Sequence, residues 1–230
     1  MSYVTACSSR LVGMIIRVQA SHEAHLPPQR GTVIVDLRLE GPVKAPVVEA
    51  MTNLIGKGSH LVAQDHHPKS GPITWFSQSQ VQNSSDRPWN KDGKIKPLIY
   101  TSAADLKVKF SDFRRLMEFI ETVSPWEGVN VKRIEWTLTE SAKNEALERT
   151  QKQAVENAII KARRYAEAAG FHNVTPIMIA DVGLLVAGST GSGGSPASAV
   201  YRTGAGTADS SFQPEDVVVT ASVEVELEAG

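Results

Sequence analysis

Apolar and polar residues alternate with period two along much of this chain, and that period predicts most of its strands. Met14, Ile16 and Val18 alternate with Ile15, Arg17 and Gln19, which predicts a first strand, then a loop over 21–30 containing Pro27-Pro28. A second strand is expected over 32–40, with Val33, Val35, Leu37 and Leu39 on one face and Asp36 and Arg38 on the other. Gly41-Pro42 breaks it. The period then changes to that of a helix over 43–57, with Val47, Val48, Met51, Leu54 and Ile55 on one side, Pro46 in the first turn, and Gly56 and Gly58 as the stop. A strand follows over 73–82, with Ile73, Trp75, Ser77 and Val81 sharing a face. The polar stretch 83–97 reads as an exposed hairpin connection. A long strand over 98–110 places Leu106, Val108 and Phe110 opposite Lys107 and Lys109. Ser111 is the expected cap of a helix over 112–123 with Phe113, Leu116, Met117 and Ile120 inward, and Ser124-Pro125 ends it. Ile134, Trp136 and Leu138 then share one face of a strand over 131–139.

The longest helical period runs over 141–170. Leu147, Ala154, Ala158, Ala162, Tyr165 and Ala169 recur at helical spacing, and Val155, Ile159 and Ala166 widen that face. Glu145 and Arg149, and Glu148 and Lys152, are four residues apart on the expected water side. Ser141 is the expected N-cap and Gly170 the C′ residue. A helix of this span is about 40 Å long and needs a broad partner surface. The expected partner is a sheet closed by a strand over 216–228, where Val217, Val219, Ala221, Val223, Val225 and Leu227 alternate with polar residues. The apolar run 175–187 reads as a central strand covered on both sides. Half of the residues in 188–211 are Gly or Ser, which predicts a flexible loop. The expected fold class is α+β: a mostly antiparallel sheet, with one long helix in the C-terminal half and two shorter helices packed on it. A strand-strand-helix-strand layout occurs twice. The 230 residues are read as one domain, with 1–12 a loose N-terminus.

Composition narrows the function classes. Hydrophobic residues make up 41% and charged residues 21%, an ordinary globular balance. The net charge of −1 and the pI near 6.6 give no electrostatic reason to expect nucleic acid or an anionic membrane. No apolar run is long enough for a transmembrane helix. The start has one positive side chain before Leu11, and the apolar run 11–16 is broken by Arg17, so no export signal is evident. The expectation is a cytoplasmic protein as written, or an envelope or periplasmic one if a signal is missing from it. In that second case the sequons beginning at Asn83 and Asn173 would matter. Cys7 is the only cysteine, so no intrachain disulfide forms, and with only Arg10 nearby as a cation an inert thiol is the simpler reading.

Candidate chemistry is sparse. His60, Asp65, His66 and His67 are the only grouping with metal-ligand residue types, suited to zinc or copper if three converged. Their spacing matches no standard site, and a solvated loop is the simpler reading. The glycine-rich 188–194 lacks the Gly-Lys-Ser/Thr ending of a phosphate loop and the spacing of a dinucleotide fingerprint. Trp75 and Trp136 lie in strand patterns and are expected in the core, while Trp89 and Trp126 lie in loops and are expected at a surface or subunit contact. Lys107 and Lys109 read as a solvent face or a guarded edge. No catalytic residues and no cofactor are predicted.

A family resemblance enters through several stretches in order. The segment Ala158-Ile-Ile-Lys-Ala-Arg-Arg-Tyr-Ala-Glu-Ala-Ala-Gly170 resembles the helix of SIMPL-domain (DUF541) proteins, in which alanine recurs every fourth residue before a glycine. Pro27-Pro28 is similar to the proline pair that precedes a family strand. The strand ending at Phe110 with Ser111-Asp-Phe113 resembles its strand-to-helix element, and 213–227 resembles its closing alternating strand. The segment 84–96 looks particular to this chain. The resemblance implies an α+β fold and, in some members, large homo-oligomers. It also implies a bacterial envelope setting, with some members linked to oxidative-stress protection or antigenicity. It supplies no catalytic residues. The expected function is therefore non-enzymatic: homo-oligomeric assembly or protein-partner binding, with a stress role implied by the resemblance alone. The alternative is a small-molecule or metal-binding protein using His60, Asp65, His66 and His67.

Overall fold

The computed structural model describes residues 13–87, 96–182, 201–202, 205–206 and 214–230. In chain order the elements are β1 (Met14–Leu26), β2 (Arg30–Gly41), α1 (Lys44–Asp65), β3 (Ile73–Gln78), β4 (Gln82–Asp86), β5 (Ile99–Phe110), α2 (Phe113–Val123), β6 (Val129–Thr137), α3 (Glu140–Ala168), β7 (Val174–Asp181), β8 (Tyr201–Arg202), β9 (Ala205–Gly206) and β10 (Val217–Ala229). The fold is α+β with antiparallel strand pairing, and the strand-strand-helix-strand order runs twice, through β1–β3 and again through β4–β6. The chain gathers into two compact units. One is Met1–Leu26, Glu140–Arg202 and Val218–Gly230; the other is Pro27–Thr139 and Thr203–Val217. Cys7, Trp89, the expected loose terminus 1–12 and the glycine-rich 188–194 lie outside the described residues. From the expected loop 188–211, Tyr201–Arg202 pairs with β10 and Ala205–Gly206 with β6.

The unit containing Pro27–Thr139 is a sheet in the order β3-β5-β2-β6-β9, with β4 also pairing β5. Val33, Val35 and Leu37 of β2 share a core with Leu106, Val108 and Phe110 of β5 and Ile134 and Trp136 of β6. Met51 and Val62 of α1, and Leu116, Phe119, Ile120 and Val123 of α2, belong to the same core. Here α1 runs through Gly56 and Gly58 to Asp65, past the expected stop. A mid-helix glycine costs about 1 kcal/mol. The next turn carries Val62, fully buried, so core burial outweighs that cost.

Two further expectations change in this unit. The cap of α2 is Asp112, not Ser111: the Asp112 carboxylate accepts from the backbone N–H of Arg114 and Arg115, while the Ser111 hydroxyl donates to the Gly71 carbonyl at 2.9 Å. The polar stretch after residue 82 holds a strand, because Gln82–Asp86 adds a third antiparallel partner to β5, after β2 and β3. Gly128, at φ +78°, makes the turn into β6. A Cβ there would lie 2.7 Å from the Arg38 carbonyl, so the close approach selects glycine.

In the other unit, β10 lies between β1 and β7, and α3 packs on this sheet. The first strand extends to Leu26, well past its expected end, and its alternation of exposure continues to that residue. The buried stripe of α3 is Ala146, Thr150, Ala154, Ala158, Ala162 and Ala166. Ala154, Ala158, Ala162 and Ala166 share a core with Ile16 and Val18 of β1 and with Val223, Val225 and Leu227 of β10. The predicted face is corrected at one edge: Tyr165 and Ala169 are exposed, because a strict spacing of four places them off the stripe. The helix begins at Glu140, so Ser141 sits in its first turn, with its hydroxyl donating to the Glu145 carboxylate. An acidic residue in the first turn suits the positive end of the helix dipole. At the other end Gly170 takes φ +86°. Its N–H reaches the Glu167 carbonyl at 3.0 Å, and the Phe171 N–H reaches the Ala166 carbonyl at 2.9 Å, the paired bonds of a Schellman cap.

Replacing Ala158 with Leu is expected to overpack this interface and lower stability by about 1–3 kcal/mol. Thermal denaturation followed by circular dichroism tests this, and an unchanged melting temperature would place the alanine stripe away from the sheet.

Candidate functional site

The structure spreads out the residues that suggested a metal site. His60 lies inside α1, with its Nε2 3.2 Å from the Gln64 side-chain nitrogen. Asp65 is the last residue of α1, and the His66 ring stands edge-on to Phe76 with centroids 5.0 Å apart. The His67 Nδ1 accepts from the Ser70 backbone N–H at 3.2 Å and lies 2.9 Å from the Ser70 hydroxyl. The segment thus folds as a helix end and a tight turn whose rings engage different neighbours. Among the described residues no group of three or more His, Cys, Asp or Glu side chains is placed to hold a metal ion.

Two polar clefts open on the unit containing Pro27–Thr139. One, of about 110 Å³, is lined by Lys44, Asn83, Ser84, Ser85, Tyr100 and Ser102 among others. The Ser102 hydroxyl in its floor donates to the Asn83 side-chain carbonyl. The other, of about 130 Å³, is lined by Asp65, Arg115, Glu118 and apolar neighbours. There the hydrogen bond to Glu118, and then the charge of Asp65, push the Arg115 guanidinium pKa further up. An arginine that is already charged gains no acid–base role from that. The residues lining these two clefts include no histidine or cysteine.

Tryptophan placement departs from the expectation at two positions. Trp136 is in the core, but Trp75 is 44% exposed. A register shift between Ile73 and Trp75 removes the shared face that alternation predicts, and the Trp75 ring lies 5.5 Å from the Lys109 ammonium. Trp126 packs against the core instead of standing at a free surface, with the Lys57 ammonium 3.8 Å above its ring. On the open face of this sheet Lys132 bridges Asp105 at 3.2 Å and Asp36 at 3.4 Å. The hydrogen bond to Asp105 is the largest cause of its raised pKa. β5 is interior, so Lys107 and Lys109 belong to this solvated face and guard no edge.

The strongest asymmetry lies at the two edges of the β1-β10-β7 sheet. On β1, the Asn157 amide donates to the Ser21 carbonyl at 3.2 Å, and the Lys161 ammonium donates to the Gln19 carbonyl at 3.0 Å. The spacings match: four helical residues advance about 6 Å and two strand residues about 6.6 Å. Side chains of α3 thereby occupy backbone acceptors of β1. On β7 the situation is reversed. No described strand pairs with its outer side, and Ile177, Met178 and Ile179 are 53%, 51% and 53% exposed. The sequence predicted a central strand covered on both sides, and this is corrected: β7 is a terminal strand of the described sheet and is uncovered. Its apolar run has the composition of a buried strand, and only the topology shows that β10 takes the centre.

The family model described as SIMPL, protein of unknown function (DUF541), matches residues 16–227. No curated protein matches the chain.

Replacing Asn157 and Lys161 together with Ala is expected to lower stability by about 1 kcal/mol. It is also expected to lower the concentration at which the protein self-associates, because the β1 acceptors are then open. Urea unfolding and light scattering read the two effects, and a variant matching the parent in both would show that these contacts do not guard the edge.

Proposed function

The chain belongs to the SIMPL family, and on that premise we propose that it acts without catalysis, as an assembling protein whose contact surface is β7. The observation that carries this reading is the row Ile177, Met178 and Ile179, more than half exposed on a strand with no outer partner among the described residues. Such an edge offers backbone donors and acceptors together with apolar side chains, which is the template for strand addition.

The occupant this surface fits is a second copy of the same strand. An antiparallel pairing centred on Met178 sets Ile177 against Ile179 of the other copy and Thr175 against Asp181, with no like charges opposed. Head-to-tail growth of β7 onto β1 would meet the side chains of Asn157 and Lys161. A two-fold pairing closes on itself and avoids that obstacle. The net charge of −1 adds little repulsion between copies. An eight-residue strand pair is small beside the roughly 1,200–2,000 Å² of a standard stable interface, so the association is concentration dependent.

Light scattering over a range of protein concentrations is expected to show a monomer–dimer equilibrium. The variant Ile179→Lys is expected to remain monomeric with an unchanged circular dichroism spectrum, since the position is exposed in one copy. A parent protein that stays strictly monomeric throughout overturns the proposal.

A further inference from the structure

We propose that Met178 is a reversible oxidation site that sets how tightly two copies pair through β7; this rests on the pairing reading above. The chain has five methionines. Met51 is fully buried, Met14 and Met117 are partly covered by core neighbours, and Met178 is 51% exposed. It is therefore the most exposed of the described methionines, and exposure is what admits a dissolved oxidant.

The position matters as much as the exposure. Met178 stands opposite Glu226 of β10, while the flanking β10 residues Val225 and Leu227 are the ones buried in the core shared with α3. Met178 thus shares the sheet face away from α3, and edge pairing covers the strand's backbone and leaves that face open. Glu226 is itself held by Arg17, at 2.6 Å and 3.0 Å, so the neighbouring charge is already engaged.

The chemistry is a two-electron oxygen transfer from a hydroperoxide. The sulfur lone pair attacks the distal peroxide oxygen, the O–O bond breaks, and an S–O bond forms. The remaining oxygen keeps the bonding pair, takes the displaced proton and leaves as water or an alcohol. Sulfur is oxidised and the peroxide reduced. The product replaces a flexible apolar thioether with a polar sulfoxide. In a two-fold pairing centred on Met178, each Met178 lies beside its own copy, with Cα atoms about 4.5–5.5 Å apart as for directly opposed residues of antiparallel strands. Two sulfoxide dipoles would then sit side by side where two thioethers packed, and the pairing weakens. Methionine sulfoxide reductase, using a thiol as reductant, restores the thioether and with it the contact.

The test uses the full chain and dilute hydrogen peroxide. Peptide mass mapping is expected to show Met178 gaining one oxygen before any other described methionine. Light scattering is expected to show the dimer midpoint moving to higher concentration, and returning after reductase treatment. Met178→Leu keeps the volume and removes the sulfur, so its midpoint is expected not to respond to peroxide. Earlier oxidation at another described methionine overturns the inference, as does an unchanged midpoint once Met178 is oxidised or an equal response in Met178→Leu. An untreated protein that is monomeric at every concentration overturns the pairing itself and this inference with it. That outcome is distinguishable because it is seen before oxidant is added.

Discussion

Ala154, Ala158, Ala162 and Ala166 let α3 approach β1 and β10 closely, and the organisation of that unit follows from this approach. A methyl group contributes little apolar area, so the stripe does not stabilise by the burial of large side chains. Its effect is geometric. With no bulk between helix and sheet, neighbouring polar side chains on α3 come within hydrogen-bonding reach of the strand backbone. The same strict spacing of four that buries the alanines leaves Tyr165 exposed. One helix covers the β1 side of a four-stranded sheet, and Ile177, Met178 and Ile179 of β7 are left exposed.

The other unit solves a similar problem by different means. Its core is built from large side chains, including Trp136, Phe110, Met51 and Leu116, contributed by three central strands and two helices. Its open face is covered by charge pairs such as Lys132 with Asp105 and Asp36, and Arg133 with Glu135. Exposed pairs of this kind contribute little to stability individually. They keep a broad sheet face hydrated and unattractive to other chains. The apolar residues Ile177, Met178 and Ile179 of β7 have no such cover, and the proposed contact surface rests on that contrast.

The two clefts hold hydroxyls, carboxylates and cations, and their linings contain neither imidazole nor thiol. Three of the six histidines, those in the grouping with metal-ligand residue types, are held apart: His60 within α1, His66 against Phe76 and His67 within a turn closed by Ser70. The family is one of unknown function, and the proposed contact role rests on the exposed residues of β7.

Local periodicity in the sequence determined which segments became helices and strands, because burial of one face selects period two or period 3.6 wherever the core is reached. Thus β2, β5, β6, α3 and β10 were legible from residues such as Val33, Phe110, Trp136, Ala158 and Val225, and so was the glycine that ends the long helix. What periodicity lacked was information about neighbours. It could not show that Val62 would carry α1 past two glycines, that a register shift would take Trp75 out of the core, or that the polar residues 82–86 would find a partner in β5. Nor could it rank the strands within a sheet. The run Ile177-Met-Ile179 has the composition of a covered centre, and β10 has the alternation of a half-exposed strand, yet tertiary pairing put β10 between its neighbours and β7 at the rim. Strand order is set by contacts between segments far apart in sequence, and the candidate site depends on that order.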